Sequence, residues 1–388
     1  MEGQILALAT SPEALAKGYT WKLLEAGAAD VLAWRGAAAA LQIKAKLARW
    51  ATVDELVAEP FVRGTLIGSS PVWRALVRRV AEAARFTETP ILLLGESGTG
   101  KELLARVIHQ LDGRESRGQL VTVDCTTLVP ELSGSELFGH ERGAFTGAVG
   151  PREGAFSQAD GGTLFLDEAG ELGPGLQPQL LRALQERTYK RVGGNSWQRT
   201  DFRLVCATNR ELADLVNLGE FRADLYYRLA GWVFRTPRLA ERRQDILPLA
   251  NHFLRELRGG EDPPEMDEPV KEFLLHREYP GNVRDLRQLV HRIGNGHVGL
   301  GPITAGDIPE QDRPAGSLTP SWPDGDFENS IRQALAVGAG LRQISDAARQ
   351  TAIRITVQQE KSLQLAAKRL GVTDRILQKF RKAGLLAG

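Results

Sequence analysis

The chain has 388 residues, with 49 Lys and Arg against 48 Asp and Glu, a formal net charge of +1 and 42% hydrophobic residues, an ordinary globular balance with room for two or three domains. No uninterrupted apolar run reaches the roughly 18 residues of a membrane span, and the start lacks the basic, apolar and small-residue succession of a signal peptide. Cys125 and Cys206, the only cysteines, cannot build a disulfide framework or a four-thiolate metal site, so the expectation is a reduced, cytoplasmic protein without membrane contact.

In chain order, residues 1–50 read as a strand "QILALAT", an alanine-rich helix, a short strand "ADVLAW" and a second helix; residues 51–64 look like a connector. Over 65–235, helices alternate with the apolar strands "PILLLG" (90–95), "LVTVDC" (120–125), "TLFLDE" (163–168) and "FRLVCATN" (202–209). Strands separated by helical stretches predict an α/β fold, a parallel sheet with helices on both faces. Residues 236–309 look mostly helical, interrupted by "YPGNV", and 310–326 are rich in Pro, Gly and Ser, hence a linker. Residues 327–388 read as helices carrying eleven Lys and Arg against four Asp and Glu, a balance of +7. A basic segment on a neutral body points to an anionic partner.

The chemistry-bearing motifs begin at "GESGTGKE", residues 95–102. It follows an apolar strand and opens an amphipathic helix, the context of a phosphate-binding loop. Gly95, Glu96, Ser97, Gly98, Thr99 and Gly100 would turn backbone N–H groups onto phosphate oxygens, and the helix N-terminus adds positive potential. Lys101 would reach the β- and γ-phosphates, while Glu102 stands where the general motif has Ser or Thr for Mg²⁺. About sixty residues on, "GGTLFLDE" ends a buried strand in two carboxylates: Asp167 to hold Mg²⁺ and Glu168 to polarise the attacking water. Asn209, ending "CATN", is a candidate γ-phosphate sensor. Arg222 and Arg228 of "FRADLYYRL" could neutralise the transferring phosphoryl group, supplied by a neighbouring subunit. "SLQLAAKRLGVTDRILQKFRK" (362–382) reads as helix, Gly-centred turn and helix, with Leu363, Ala366, Ala367, Leu370, Val372, Ile376 and Leu377 spaced as a small core. As a helix-turn-helix it would place Thr373, Arg375, Gln378, Lys379, Arg381 and Lys382 at DNA.

Taken together, "GESGTGKE", "SELFGHERGAFTGA", "GGTLFLDE", "FRADLYYRL" and "YPGNVRDL" resemble, in content and order, the bacterial enhancer-binding proteins, the sigma-54-dependent activators of the AAA+ superfamily. The resemblance covers about Thr65 to Pro309, an AAA+ P-loop ATPase with a helical lid, plus a Fis-like helix-turn-helix. It implies ATP and Mg²⁺ as cofactors, a homo-oligomeric ring, hexameric by expectation, and sigma-54 RNA polymerase and enhancer DNA as partners. It adds Ile67, Gly68 and the second-sensor Arg284 to the ATP-binding set and makes Glu102 usual. Gly143, Ala144, Phe145, Thr146, Gly147 and Ala148, the GAFTGA loop, would contact sigma-54, with Phe145 and Thr146 displayed rather than buried.

Two features depart from the family. Asp124 replaces the Asn thought to restrain the catalytic glutamate, and it would repel Glu168, a regulatory change. Residues 1–50 resemble the last two strands of a receiver domain without those that carry the phosphorylated aspartate, and Trp34 and Arg35 replace its Lys-Pro pair, so control by phosphorylation is not expected. Two other readings stay open: an AAA+ machine remodelling another protein, and a DNA-binding switch that holds ATP without turnover.

Overall fold

The computed structural model describes residues 4–10, 18–114, 118–129, 132–299, 301–313, 325–360, 362–373 and 377–378. They fall into two compact units, Met1–Arg313 and Pro314–Gly388.

The first unit opens with β1 (Leu6–Ala9) and β2 (Asp30–Ala33), a parallel pair in which Leu6 faces Asp30 and Ala9 faces Ala33. The helix Tyr19–Glu25 lies between them in sequence. The next helix, Ala37–Ala58, runs through most of the expected connector, and Pro60–Thr65 is helical too. Residues 51–64 are therefore helix rather than connector. Ala, Leu and Lys favour the helix, and it stops at Glu59 because a residue before proline is driven to extended ψ, here 137°. Pro60 then starts the next helix at a position where no N–H is needed. Ion pairs dock this segment on the helix Pro71–Phe86: Arg49 Nε donates to Glu82 at 2.7 Å, and Asp54 pairs with Arg78.

The main sheet contains β3 (Ile91–Leu94), β4 (Leu120–Asp124) and β5 (Thr163–Asp167), which the sequence predicts. After the antiparallel hairpin β6 (Thr188–Lys190) and β7 (Trp197–Arg199) come β8 (Arg203–Thr208) and β9 (Trp232–Arg235). The sheet order is β4-β5-β8-β3-β9, all parallel. Successive side chains leave a strand on opposite faces, and both faces are filled. Leu92, Leu94, Leu164, Leu166, Leu204 and Cys206 belong to one apolar core. Ile91, Leu93, Phe165, Val205, Ala207 and Phe234 belong to the other. The sequence misses β9 because this edge strand is four residues long and buries only Phe234.

The lid helices Ile246–Leu257, Glu268–His276 and Asn282–Gly296 enclose a third core that includes Leu239, Phe253, Phe273, Leu286 and Ile293. Asp267 caps the second helix by accepting from the Val270 N–H at 3.0 Å. The start of the expected linker is tied down: Arg292 grips Asp312 through Nε at 2.9 Å and Nη2 at 2.8 Å.

In the second unit, helices Gly325–Ala336, Leu341–Gln359 and Leu363–Leu370 precede a left-handed Gly371, φ 65°, that ends the last of them. Ile353, Ala366, Ala367 and Leu377 are buried together, with Leu363, Leu370 and Val372 against them. This is the small core read from the sequence; Ile376 lies outside the described residues.

Candidate active site

The loop after β3, Asp167, Glu168 and Asn209 lie at the C-terminal ends of parallel strands, where open α/β sheets bind ligands. The loop after β3 is closed by glycines that accept no side chain. A Cβ on Gly95 would lie 2.0 Å from Thr236 Oγ1, and one on Gly98, φ 76°, would lie 2.2 Å from the Gly281 carbonyl. Thr99 Oγ1 donates to the Glu96 carbonyl at 2.8 Å, which folds the loop back on itself. Lys101, buried at the first turn of the helix Lys101–Gln110, donates to the carbonyls of Gly95 at 2.7 Å and Glu96 at 3.2 Å. Its ammonium is 3.9 Å from Glu168 Oε1. Burial draws the Lys101 pKa down, opposed by the charges of Glu168 and Asp167. Glu102 turns outward and accepts from Arg106 at 2.6 Å.

Asp167 ends β5 half-buried. Burial pushes its carboxyl up, and the neighbouring Glu168 and Asp124 charges add to that, against the Glu168 N–H and Lys101. Glu168 follows in the left-handed region, φ 49° and ψ 48°. Its Oε2 accepts from the backbone N–H of Asn209, beyond the end of β8, at 3.0 Å. An open cleft of about 400 Å³ is lined by Cys125, Thr126, Leu128, Glu168, Glu171 and Asn209. Arg284, exposed at the start of the helix Asn282–Gly296, donates to Ser97 Oγ at 3.0 Å. Ile67 packs against the lid core, and the Ser69 and Ser70 N–H groups beyond Gly68 bond Asp245 Oδ1 at 2.6 and 2.8 Å. The loop after β3, the carboxylate pair, Asn209 and Arg284 are thus linked by contacts: Lys101 to Glu168, Glu168 to the Asn209 N–H, and Arg284 to Ser97. This donor set suits a nucleotide with Mg²⁺, an ion that takes one or two protein carboxylates and otherwise phosphate and water oxygens.

Residues 66–234 match the Sigma-54 interaction domain, and residues 240–319 match the AAA+ ATPase lid domain. Residues 66–234 thus form a Sigma-54 interaction domain and residues 240–319 an AAA+ ATPase lid. The transcriptional regulatory protein ZraR of Salmonella typhimurium is 47% identical over 234 residues, which are 58% of this chain and 52% of that protein. The nitrogen fixation protein AnfA of Azotobacter vinelandii is 43% identical over 236 residues, 60% of this chain and 44% of its own. The chain thus spans about half the length of these curated relatives. Crystal structures of NtrX from Brucella abortus, in complex with ADP and with ATP, share 26% identity and a TM-score of 0.59, covering 98% of this chain and 82% of theirs.

Within this fold, several predicted residues sit differently from expectation. Phe145 is half-buried, not displayed: its ring packs edge-on against His140 at 4.9 Å and borders a cavity of about 550 Å³. The Gly143 N–H bonds the Ala148 carbonyl at 2.8 Å and the Ala148 N–H bonds the Phe145 carbonyl at 3.0 Å, closing the loop into a tight turn. Thr146, Gly143 and Gly147 are exposed as expected; Ala144 is half-buried and Ala148 buried. Asp124 faces Asp167 in the β4–β5 register. Its Oδ1 accepts from the Thr126 N–H at 2.9 Å and hydroxyl at 2.7 Å, so it caps a local turn, and the bond Glu168 accepts comes from Asn209.

Arg222 and Arg228 lie away from this pocket. Arg222 forks onto Asp224 at 3.0 and 2.8 Å. Arg228 donates to the Leu184 carbonyl at 2.8 Å and lines a cavity with Pro90, Phe202 and Leu204, at the N-terminal ends of β3 and β8, the opposite end of these strands from the phosphate-binding loop. Of the candidate DNA contacts, Thr373 and Gln378 are exposed, and Arg375, Lys379, Arg381 and Lys382 lie outside the described residues.

Sequence reasoning misses Arg242, Asp245 and Asn282, all buried beside the pocket. "ERRQD" reads as a solvated charged stretch and carries no signal. "PGN" does carry one, because Asn tolerates the left-handed backbone that Asn282 adopts at φ 51°.

Proposed function

We propose that this chain is a sigma-54-dependent transcriptional activator that hydrolyses ATP in a homo-oligomeric ring, expected to be a hexamer, and spends the turnover on sigma-54 RNA polymerase. The observation that carries the reading is a run of contacts on the matched ATPase and lid: Lys101 lies 3.9 Å from Glu168, Glu168 accepts the Asn209 N–H at 3.0 Å, and Arg284 reaches Ser97 of the loop at 3.0 Å. Lys101 exchanges its loop carbonyls for the β- and γ-phosphates, with N–H groups of the loop and the helix N-terminus sharing the charge. Asp167 is the residue to hold Mg²⁺, which neutralises charge on the phosphates when bound. Glu168 leaves the Asn209 N–H and accepts a proton from water in line with the γ-phosphate. Asn209 and Arg284 are the residues that would meet the γ-phosphate.

Arg222 and Arg228 fit a role on a neighbouring subunit's nucleotide, since within their own chain Arg222 is exposed and paired with Asp224 while Arg228 lies at the opposite end of the strands. The Gly143–Ala148 loop is the part offered to sigma-54, with Thr146 outward and Phe145 freed as the loop rises. The basic helices of 327–388 are proposed to hold enhancer DNA, and the setting is the bacterial cytoplasm. The test is twofold: Mg²⁺-dependent phosphate release, and opening of a sigma-54 promoter by purified polymerase. Wild type should do both and Lys101→Ala neither. Hydrolysis without promoter opening moves the reading to another protein target, and ATP binding without hydrolysis reduces it to a switch.

A further inference from the structure

Three consecutive carbonyls of the phosphate-binding loop accept hydrogen bonds from the lid. The Ser97 carbonyl takes the Asn282 Nδ2 at 3.1 Å, the Gly98 carbonyl takes the Val283 N–H at 3.0 Å, and the Thr99 carbonyl takes Arg242 Nη2 at 2.8 Å. Asn282 and Arg242 are each only 2% exposed. Asn282 also donates to Glu96 Oε2 at 3.1 Å and accepts the Leu239 N–H at 2.9 Å, so its amide joins the loop to the start of the lid as well. Arg242 stacks 3.9 Å from the centre of the Trp73 ring and sits where the turn Leu239–Asp245 breaks helical geometry, at φ −133° and ψ 45°. We propose that Asn282 and Arg242 are positioning residues, a two-point clamp by which the lid sets the shape of the phosphate-binding loop and the rate at which nucleotide leaves it.

The geometry gives the clamp its effect. In a trans peptide the carbonyl and the following N–H point in opposite directions. Holding the carbonyls of residues 97–99 toward the lid therefore turns the N–H groups of Gly98, Thr99 and Gly100 to the other side, the side from which they can meet phosphate. Neither side chain has to touch nucleotide for this. When the lid swings away, three acceptors lose partners at once and the loop loses the arrangement that holds phosphate. Lid opening and nucleotide release become one event, and the buried donors of Asn282 and Arg242 resist it, because a buried polar group without a partner is costly.

This proposal rests on the ATPase reading, and its test separates the two. Release of a fluorescent ADP analogue (mant-ADP) is timed by stopped flow for the full chain, with steady-state ATP hydrolysis alongside. Asn282→Ala and Arg242→Met should each release mant-ADP about tenfold faster, on the order expected for losing one such bond, and should raise the KM for ATP more than they lower kcat. Thermal unfolding without nucleotide identifies variants that fail to fold. In that case Glu96→Gln, at a half-exposed position, decides: it weakens one acceptor of Asn282 and should speed release about two- to threefold. Folded variants that release at the wild-type rate, or that lose kcat alone, overturn the clamp. A wild-type chain that binds no mant-ADP overturns the ATPase reading itself.

Discussion

The nucleotide pocket and the Gly143–Ala148 loop are both rich in glycine, yet they are held in opposite ways. In the pocket, Gly95 and Gly98 are locked by backbone and side chains that leave no room for a Cβ, and Lys101 is buried among carbonyls. In the loop, a Cβ on Gly143 or Gly147 would meet nothing within 4 Å, and two short backbone bonds close the turn on itself. Glycine serves rigidity in the first region and freedom in the second. A fixed site can sense one phosphate, and a loop whose glycines meet no neighbour can move when that sensing changes.

The contrast breaks first at the catalytic carboxylates. Asp167→Ala and Glu168→Gln should each lower hydrolysis by about a hundredfold or more, the range for losing a metal ligand or a general base. Glu168→Gln should still retain ATP on a filter, because only water activation is lost. Wild-type turnover by that variant removes Glu168 from the role. A smaller effect tests the far end of the strands. Arg228→Ala and Glu168→Gln chains, each inactive alone, should recover part of the activity when mixed, because some interfaces then join an intact arginine to an intact glutamate. No recovery in confirmed mixed rings would place Arg228 in a purely structural role.

The smallest effect is expected in the loop. Phe145→Ala removes a half-buried ring and its contact with His140, and should lower unfolding stability by about 1–2 kcal/mol. Thr146→Ala, at an exposed position, should cost less than about 0.5 kcal/mol. Both should hydrolyse ATP near the wild-type rate while losing promoter opening. Equal stability of the two variants in urea would mean that Phe145 is not packed as described.

The sequence makes the strands and their carboxylates legible because buried parallel strands are runs such as "ILLL" and "TLFLD", and little else reads that way. Helix Ala37–Ala58 was hidden in part because its second half, with Asp54 and Glu55, looks as polar as a connector; its partners Arg78 and Glu82 lie in another helix. Phe145 was misjudged for a related reason. Glycines on both sides announce a turn, but which way a ring folds within the turn depends on His140 and on the cavity below it. Arg242 and Asn282 were invisible as a pair because forty residues separate them, and only the folded lid brings both to one loop.

The backbone of Glu168 has one more consequence. A residue with a side chain at φ 49° sits on the order of 1 kcal/mol above its ordinary conformations, and here the carboxylate's bond to the Asn209 N–H spans from that residue to the neighbouring strand. Loss of that bond frees the side chain, while the Glu168 N–H stays on Asp167 Oδ1 at 3.1 Å. The turn Ala169–Glu171 begins at this residue, with the Glu171 N–H on the Glu168 carbonyl at 2.9 Å. The residue proposed to activate water is thus also the joint between β5 and the turn that follows it.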